Sequence, residues 1–177
     1  GELMTSATIT DRLVALSRAL IGRIRGGLAQ VNVLVSMFFA GMNGSVVADT
    51  ATVGALVLPA MKKAGYPAAF SAAVTGVSST IGGIIPPSIM MIVLANATEI
   101  SIAALFAAGI IPGILIGVVI MVINHYFAVK YNFERSDEPF SVRRAGKELY
   151  RSSFALLIPL VLVGSVMGGV ASVVEAG

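Results

Sequence analysis

Charged residues are scarce in this 177-residue chain: 12% are Asp, Glu, Lys or Arg, while 56% are hydrophobic. A soluble domain of this size is about 25% charged. A bilayer crossing takes roughly 20 apolar residues, and several stretches without any charge are that long, among them residues 66–98, 100–129 and 152–174. The composition therefore excludes a soluble domain and indicates an all-α, polytopic membrane protein.

The side chains that enzymes use most are nearly missing as well. Cysteine is absent, which fits many compartments, and His125 is the single histidine. The chain carries no nucleotide-binding loop, no HExxH zinc motif and no pair of aspartates within its apolar stretches. An intramembrane serine protease would need a histidine beside its serine, and His125 lies near a basic cluster, at the wrong depth. We expect a protein that is not an enzyme.

The positive charges are confined to three clusters, in residues 12–25, 62–63 and 130–151. Short basic loops of membrane proteins lie in the cytoplasm, so all three clusters are expected on that side. This topology accounts for the excess of basic residues without a nucleic-acid partner. Residues 66–99 then cross the lipid bilayer outward, and residues 100–129 form the transmembrane helix that returns.

The remaining segments follow from the same pattern. Residues 1–29 are expected to be the end of a preceding helix and an amphipathic helix on the cytoplasmic surface. Residues 130–151 form a basic cytoplasmic loop with an amphipathic helix, and residues 152–177 a further transmembrane helix. The chain opens on GELM, without an initiator Met, directly before a polar stretch. We therefore expect it to be a fragment of a longer polypeptide.

Residues 30–62 start and end beside cytoplasmic clusters but are too few for two full spans. They are predicted to form a re-entrant helical hairpin, which enters and leaves by one face of the membrane. At about 1.5 Å per residue, its arms reach roughly halfway through a core of about 30 Å. The tip is then GMNGSVVAD, residues 41–49, which interrupts the apolar sequence with Gly, Asn, Ser and Asp.

The outward span has an interruption of its own, in SSTIGGIIPPS, residues 78–88. Two adjacent glycines favour unwinding, and two prolines remove backbone N–H groups. Pro87 and Ser88 can open a second half-helix because proline is well tolerated at a helix start. Residues 66–99 are therefore predicted to form a discontinuous transmembrane helix, whose break faces the hairpin tip.

Two unwound points at one depth are typical of the ion and substrate site of a secondary transporter. Freed carbonyl oxygens there can bind a hard cation, and half-helix N-termini can bind an anion. The predicted sodium ligands, mostly backbone groups, are Asn43, Gly44, Ser45, Thr80, Gly82, Gly83 and Ile85. The predicted substrate-binding residues are Ser45, Val46, Asp49, Pro87 and Ser88.

Two of these features also have plain structural interpretations. Asp49 is more simply the N-cap of the second hairpin arm, where it would bind free N–H groups of the helix. The face formed by Gly109, Gly113 and Gly117 is typical of helix packing.

The sequence resembles a known family, the large membrane subunit (DctM-like) of the TRAP transporters, which are tripartite ATP-independent periplasmic carriers. The resemblance runs over nearly the whole chain. It rests on GELM, ITDRLV, RGGLAQVNVL, FFAGMNGSVVADTATVG, LVLPAMKKAGYP, SSTIGGIIPPSIMMI and ALFAAGIIPGILIG, in this order. The family usually has Ser at the position of Asn43, and Pro is frequent at that of Gly83.

The resemblance implies a sodium-driven symporter of the bacterial inner membrane that imports organic acids of the dicarboxylate or sugar-acid class. It implies an elevator mechanism, a small membrane subunit and a periplasmic substrate-binding protein. It also implies two inverted repeats, of which this chain covers the first and, in residues 152–177, the opening of the second. Two alternatives remain open at this point: a dicarboxylate/sodium symporter without a binding protein, and a membrane scaffold or channel subunit that transports nothing.

Overall fold

The computed structural model describes residues 2–21, 24–133 and 142–168. Within these ranges the regular elements are all helical, so the predicted all-α class is confirmed for them. They are α1 (Glu2–Ile21), α2 (Gly27–Asn43), α3 (Val46–Lys63), α4 (Ala68–Ser79), a 3₁₀ turn (Thr80–Gly83), α5 (Ile89–Thr98), α6 (Ile102–Lys130) and α7 (Val142–Met167).

Helices α2 and α3 form a helical hairpin joined by only two residues, Gly44 and Ser45. The two helices pack along each other and contain 17 and 18 residues. At about 1.5 Å per residue each arm is roughly 26 Å long. The arms exceed the predicted length because the turn is much tighter than the nine-residue motif around it.

Helix α2 lies at the centre of the fold and packs against α1, α3, α4 and α6. The side chains of Val31, Val33 and Val35 are all at most 2% exposed. Val33 points to the side of the helix opposite to Val31 and Val35, so α2 is buried on both of these sides. The first arm of the hairpin is thus built into the interior of the bundle, whereas the second arm, α3, has one exposed side.

The start of α2 is held by polar contacts to the C-terminal end of α6. Gln30 Nε2 donates a hydrogen bond to the Met121 carbonyl oxygen at 2.8 Å. Arg25 Nη1 donates to Asn132 Oδ1 at 2.9 Å. These bonds join residues about 90 or more positions apart, and they fix one end of the hairpin on α6.

The end of α3 is held at the same place by aromatic rings. Tyr66 and Phe70 follow the hairpin, and both rings contact that of Phe133, with centroids 4.8 and 5.0 Å apart. Phe70 also meets Phe127 of α6 edge to face. Such ring pairs contribute about 0.5–1.5 kcal/mol beyond their burial. Both ends of the hairpin are therefore fastened to the last turns of α6.

Among the described residues, α6 is the one helix that is long and apolar enough to cross a membrane by itself. Helices α2 and α5 are shorter apolar helices, as expected for hairpin arms and half-helices. Helix α7 packs on α1, and Ser152 Oγ donates to the Arg12 carbonyl oxygen at 3.3 Å. It continues without interruption past residue 151, where the sequence predicted the end of the cytoplasmic loop and the start of a transmembrane helix. Residues 134–141 and 169–177 of the predicted segments lie outside the described residues.

Candidate functional site

The hairpin tip is a two-residue turn that caps both of its helices. Gly44 adopts a left-handed conformation, with φ of 60°, and its N–H donates to the Ala40 carbonyl oxygen at 3.1 Å. Glycine is favoured at such a helix end because it lacks a Cβ. Ser45 is extended, and its Oγ accepts a hydrogen bond from the Ala48 N–H at 3.4 Å. The tip therefore ends α2 and starts α3 within one turn.

The break between α4 and α5 consists of the 3₁₀ turn and five non-helical residues, 84–88. The Pro86–Pro87 peptide is cis. Ser88 is the N-cap of α5 and accepts from the Met91 N–H at 3.4 Å. Its hydroxyl also donates to the Gly83 carbonyl oxygen at 2.9 Å. One serine thus connects the two sides of the break.

The tip and the break are in direct contact. The Ile89 N–H, at the start of α5, donates to the Gly44 carbonyl oxygen at 3.2 Å. Gly44 lies so close to Pro87 that a Cβ added to it would collide with the Pro87 carbonyl oxygen. A Cβ on Gly82 would stand 3.7 Å from the backbone of Ser45. The N-termini of α3 and α5, both capped by serine, therefore meet at one point.

This arrangement has a definite electrostatic character. Each helix N-terminus carries a partial positive charge and free N–H groups, which favours an anion beside it. The break places backbone carbonyl oxygens beside these N-termini, among them the Pro87 carbonyl oxygen, which lies against Gly44. Oxygen atoms of this kind suit a hard cation. Anion-binding and cation-binding groups thus lie side by side at the tip and the break.

The structure brings together most, but not all, of the residues predicted for the site. Gly44, Ser45, Val46, Gly82, Gly83, Pro87 and Ser88 lie at the contact of tip and break. Asn43 is the last residue of α2 and is half-buried beside them. The exposed Thr80 donates its hydroxyl to the Val77 carbonyl oxygen at 2.7 Å. Ile85 packs on the other side of the break, against Gly113 of α6.

The prediction that Asp49 caps the second arm is wrong. Helix α3 begins at Val46 and is capped by Ser45, so Asp49 lies inside the first turns of the helix. Its side chain is 0% exposed, and neither carboxylate oxygen accepts a hydrogen bond from the described residues. The neighbouring polar groups are the hydroxyls of Ser36 and Ser79, and Ser79 donates to the Thr75 carbonyl oxygen instead.

A buried polar layer surrounds this carboxylate. Asn32 Nδ2 donates to Thr75 Oγ1 at 2.7 Å, and the hydroxyls of Ser36 and Ser78 are 3.3 Å apart. Every member is at most 3% exposed. Sequence reasoning missed Asn32 and Ser36. A signal was present, since they are four residues apart in an apolar helix, and the polar residues of α4 recur at the same helical spacing.

The layer does not resemble a site for a divalent metal. The described residues contain no group of three or more His, Cys, Asp or Glu side chains placed to hold one. A buried carboxylate without a positively charged partner is costly even beside neutral polar groups, so Asp49 needs a cation or a proton as its partner. The groups of the layer that could coordinate such a cation together with Asp49 are neutral hydroxyl, amide and carbonyl oxygens.

Comparison with known proteins identifies the family. The model of the "Tripartite ATP-independent periplasmic transporter, DctM component" family matches residues 1–177. The chain is 36% identical over 176 residues to the C4-dicarboxylate TRAP transporter large permease protein DctM of Pseudomonas aeruginosa. It is 37% identical over 177 residues to the sialic acid TRAP transporter permease protein SiaT of Haemophilus influenzae. The 2,3-diketo-L-gulonate TRAP transporter large permease protein YiaN of Escherichia coli is 35% identical over 177 residues.

These alignments cover 99 to 100% of this chain but only 41%, 28% and 41% of the three relatives, so the chain spans at most about two fifths of their length. The named relatives are transporter permeases, which confirms the expectation that the chain is not an enzyme. The match also decides for the TRAP family and against the other symporter type. The chain belongs to the DctM component family of the tripartite ATP-independent periplasmic transporters.

Proposed function

We propose that this chain is part of the permease subunit of a sodium-coupled carrier that imports an organic acid. The observation that carries the proposal is the contact between the hairpin tip and the helix break, where two serine-capped helix N-termini meet beside backbone carbonyl oxygens of the break. The relatives named for C4-dicarboxylate, sialic acid and 2,3-diketo-L-gulonate all have a carboxylate-bearing substrate in their names. A carboxylate is the ligand that such N-termini favour.

Sodium is the proposed coupling ion because the tip and the break offer neutral oxygens. Several carbonyl dipoles together can replace the hydration shell of a monovalent cation without a net negative charge. The ion would lie between Asn43, Gly44 and Ser45 on one side and residues 80–85 on the other. The substrate carboxylate would lie next to the ion, near Val46, Pro87 and Ser88. Asp49, one turn deeper, adds a buried negative charge on the same side.

The remaining parts of the proposal concern the whole transporter. In the bacterial inner membrane, α2 and α3 would form a re-entrant hairpin, opened from the cytoplasmic face. The hairpin and the broken helix would move together in an elevator cycle. A small membrane subunit would widen the scaffold, and a periplasmic binding protein would deliver the substrate. The contacts that tie the hairpin to α5 and α6 support movement of these elements as one body.

A second candidate for the coupling ion is the proton. It is favoured by one observation, the fully buried Asp49 carboxylate that accepts no hydrogen bond from the described residues. Proton coupling would require this group to exchange its proton during the cycle. The two candidates differ in the gradient that drives uptake.

The test of the sodium site is a comparison of two matched serine variants in the full-length transporter. Ser45 and Ser101 both cap a helix and both accept an N–H at 3.4 Å, but Ser101 caps α6 on an exposed loop away from the tip. Both Ser45→Ala and Ser101→Ala therefore remove a serine N-cap, at about 0.5–2 kcal/mol each. If one sodium ligand contributes about 1.4 kcal/mol, Ser45→Ala raises the sodium concentration for half-maximal uptake about tenfold. Equal sodium dependence in both variants and the wild type would contradict the site.

A further inference from the structure

One glycine of α6 lies directly against the backbone of the helix break. A Cβ added to Gly109 would stand 2.5 Å from the Ile84 carbonyl oxygen and 2.5 Å from Met91 Cε. Contacts this short do not occur with a real Cβ, so an alanine at this position requires a neighbour to move. The Met91 side chain is flexible, whereas the Ile84 carbonyl is part of the backbone. The break can approach α6 this closely because position 109 has no side chain.

The next residue of the break, Ile85, also lies against a glycine of α6. A Cβ on Gly113 would stand 2.5 Å from Ile85 Cγ1 and 3.5 Å from the Ile85 backbone nitrogen. The N–H groups of Ile84 and Ile85 both donate to the Ile81 carbonyl oxygen at 2.9 Å. These bonds close the 3₁₀ turn and leave the following residues against α6. The predicted packing face of α6 is thereby confirmed: Gly109 and Gly113 pack against the break, and Gly117 packs against Met37 of α2.

The opposite side of the break faces the hairpin tip. A Cβ added to Gly82 would stand 3.7 Å from the backbone of Ser45. A Cβ added to Gly83 would stand 3.3 Å from Val46 Cγ2. The non-helical segment is therefore held between two surfaces, with α6 behind Ile84 and the tip in front of Gly82. A shift of the segment away from α6 necessarily changes its position relative to the tip.

We propose that Gly109 is a positioning residue for the ion and substrate site, which sets the depth of the break relative to the hairpin tip. It touches neither ion nor substrate in this proposal and acts through the Ile84 carbonyl. The inference rests on the proposed function for its transport consequence, but its geometric consequence is independent of it. Replacing the missing side chain with a methyl group should displace residues 84–88 and spread the cation ligands.

Gly117 offers a matched control on the same face of α6. A Cβ added there would stand 2.5 Å from Met37 Sδ and 2.9 Å from Met37 Cε. These atoms are the far end of a flexible side chain, which can rotate away. Gly109→Ala and Gly117→Ala therefore make the same chemical change in the same helix, and only the first meets backbone.

The geometric test is disulfide formation between Val46→Cys and Gly83→Cys in a cysteine-free full-length transporter. This segment of the chain has no cysteine of its own, and the close approach of the two positions favours a disulfide. Gly109→Ala should slow the cross-link several-fold, whereas Gly117→Ala should leave it unchanged. A cross-link of unchanged rate in Gly109→Ala, or an equal loss in both variants, would overturn the proposal.

The transport test uses the same pair without the cysteines. Gly109→Ala should raise the sodium concentration for half-maximal uptake about tenfold, with a smaller change in maximal rate, and Gly117→Ala should behave as wild type. The double variant Gly109→Ala/Met91→Ala should not restore either readout, because it leaves the carbonyl contact in place. Full restoration would assign the role to Met91 packing and refute the inference.

Two further outcomes keep the inference separate from the proposed function. Sodium-independent uptake by the wild type, together with a slower cross-link in Gly109→Ala, would refute the sodium site and support the positioning role. If Gly109→Ala does not fold, Gly113→Ala is the second variant, since its methyl group meets Cγ1 of the stiff, β-branched Ile85 and lies close to the Ile85 backbone nitrogen. A cross-link unaffected by Gly113→Ala would then overturn the proposal.

Discussion

Replacement of Gly44 by alanine is the sharpest test of the contact between tip and break. Gly44 has φ of 60°, and a Cβ there would stand 3.1 Å from Ser88 Cα as well as collide with the Pro87 carbonyl oxygen. A left-handed conformation costs a non-glycine residue about 1–2 kcal/mol. Separation of the tip from the break would also remove the hydrogen bond from the Ile89 N–H, at about 1 kcal/mol or somewhat more. We expect Gly44→Ala to lower the free energy of unfolding by roughly 2–4 kcal/mol.

Gly65 provides the control for the conformational part of this cost. It has φ of 80°, and a Cβ added to it would meet nothing within 4 Å. Gly65→Ala therefore bears the left-handed penalty alone, about 1–2 kcal/mol. The free energy of unfolding of both variants is measured by denaturant titration of the full-length transporter in mixed micelles, alongside uptake in proteoliposomes. An equal loss of stability in the two variants, with uptake retained in both, would show that the contact between tip and break is not needed.

Three further predictions concern the buried polar layer and the topology. Asp49→Asn should unfold at the same or a higher temperature without sodium, because a buried charge is removed. It should be stabilised less by sodium than the wild type is, and an equal sodium stabilisation of the variant would contradict this. Asn32→Leu and Thr75→Val should each lower the free energy of unfolding by about 1–3 kcal/mol, measured by thermal unfolding. The double variant should lose less than the sum of the two, with a coupling energy of about 1 kcal/mol. Strictly additive losses would refute the hydrogen bond between the two side chains. Single cysteines at Lys62 and Glu99 should react with impermeant reagents from the cytoplasmic and the outer side respectively, and periplasmic labelling at Lys62 would exclude a re-entrant hairpin.

The sequence predicted the interruptions well because glycine and proline determine backbone conformation locally. Gly44 and the segment from Gly82 to Pro87 interrupt apolar helices in the structure as they do in the sequence. The start of α3 was less predictable. Ser45 and Asp49 are both good N-cap residues four positions apart, and propensity does not choose between them. In the structure Ser45 is the N-cap of α3, and the Asp49 carboxylate is buried inside the bundle.

The orientation of the break was beyond sequence reasoning. Non-helical residues have no regular period, so nothing in the sequence assigned Ile85 to α6 and Gly82 to the tip. The polar layer is a different case, because the spacing of Asn32 and Ser36 in an apolar helix was visible. The path of α7 across residue 151 was also missed, since a basic stretch continuing into an apolar one resembles a loop before a span.

The measurement that tests the central claim most directly is uptake of a radiolabelled organic acid by proteoliposomes that contain the complete transporter and its binding protein. A C4-dicarboxylate, sialic acid and 2,3-diketo-L-gulonate are the first substrates to compare. We predict that uptake requires an inward sodium gradient and persists when the proton gradient is collapsed with an ionophore. Uptake that is driven by a pH gradient without sodium would contradict the account and would transfer the coupling role to Asp49.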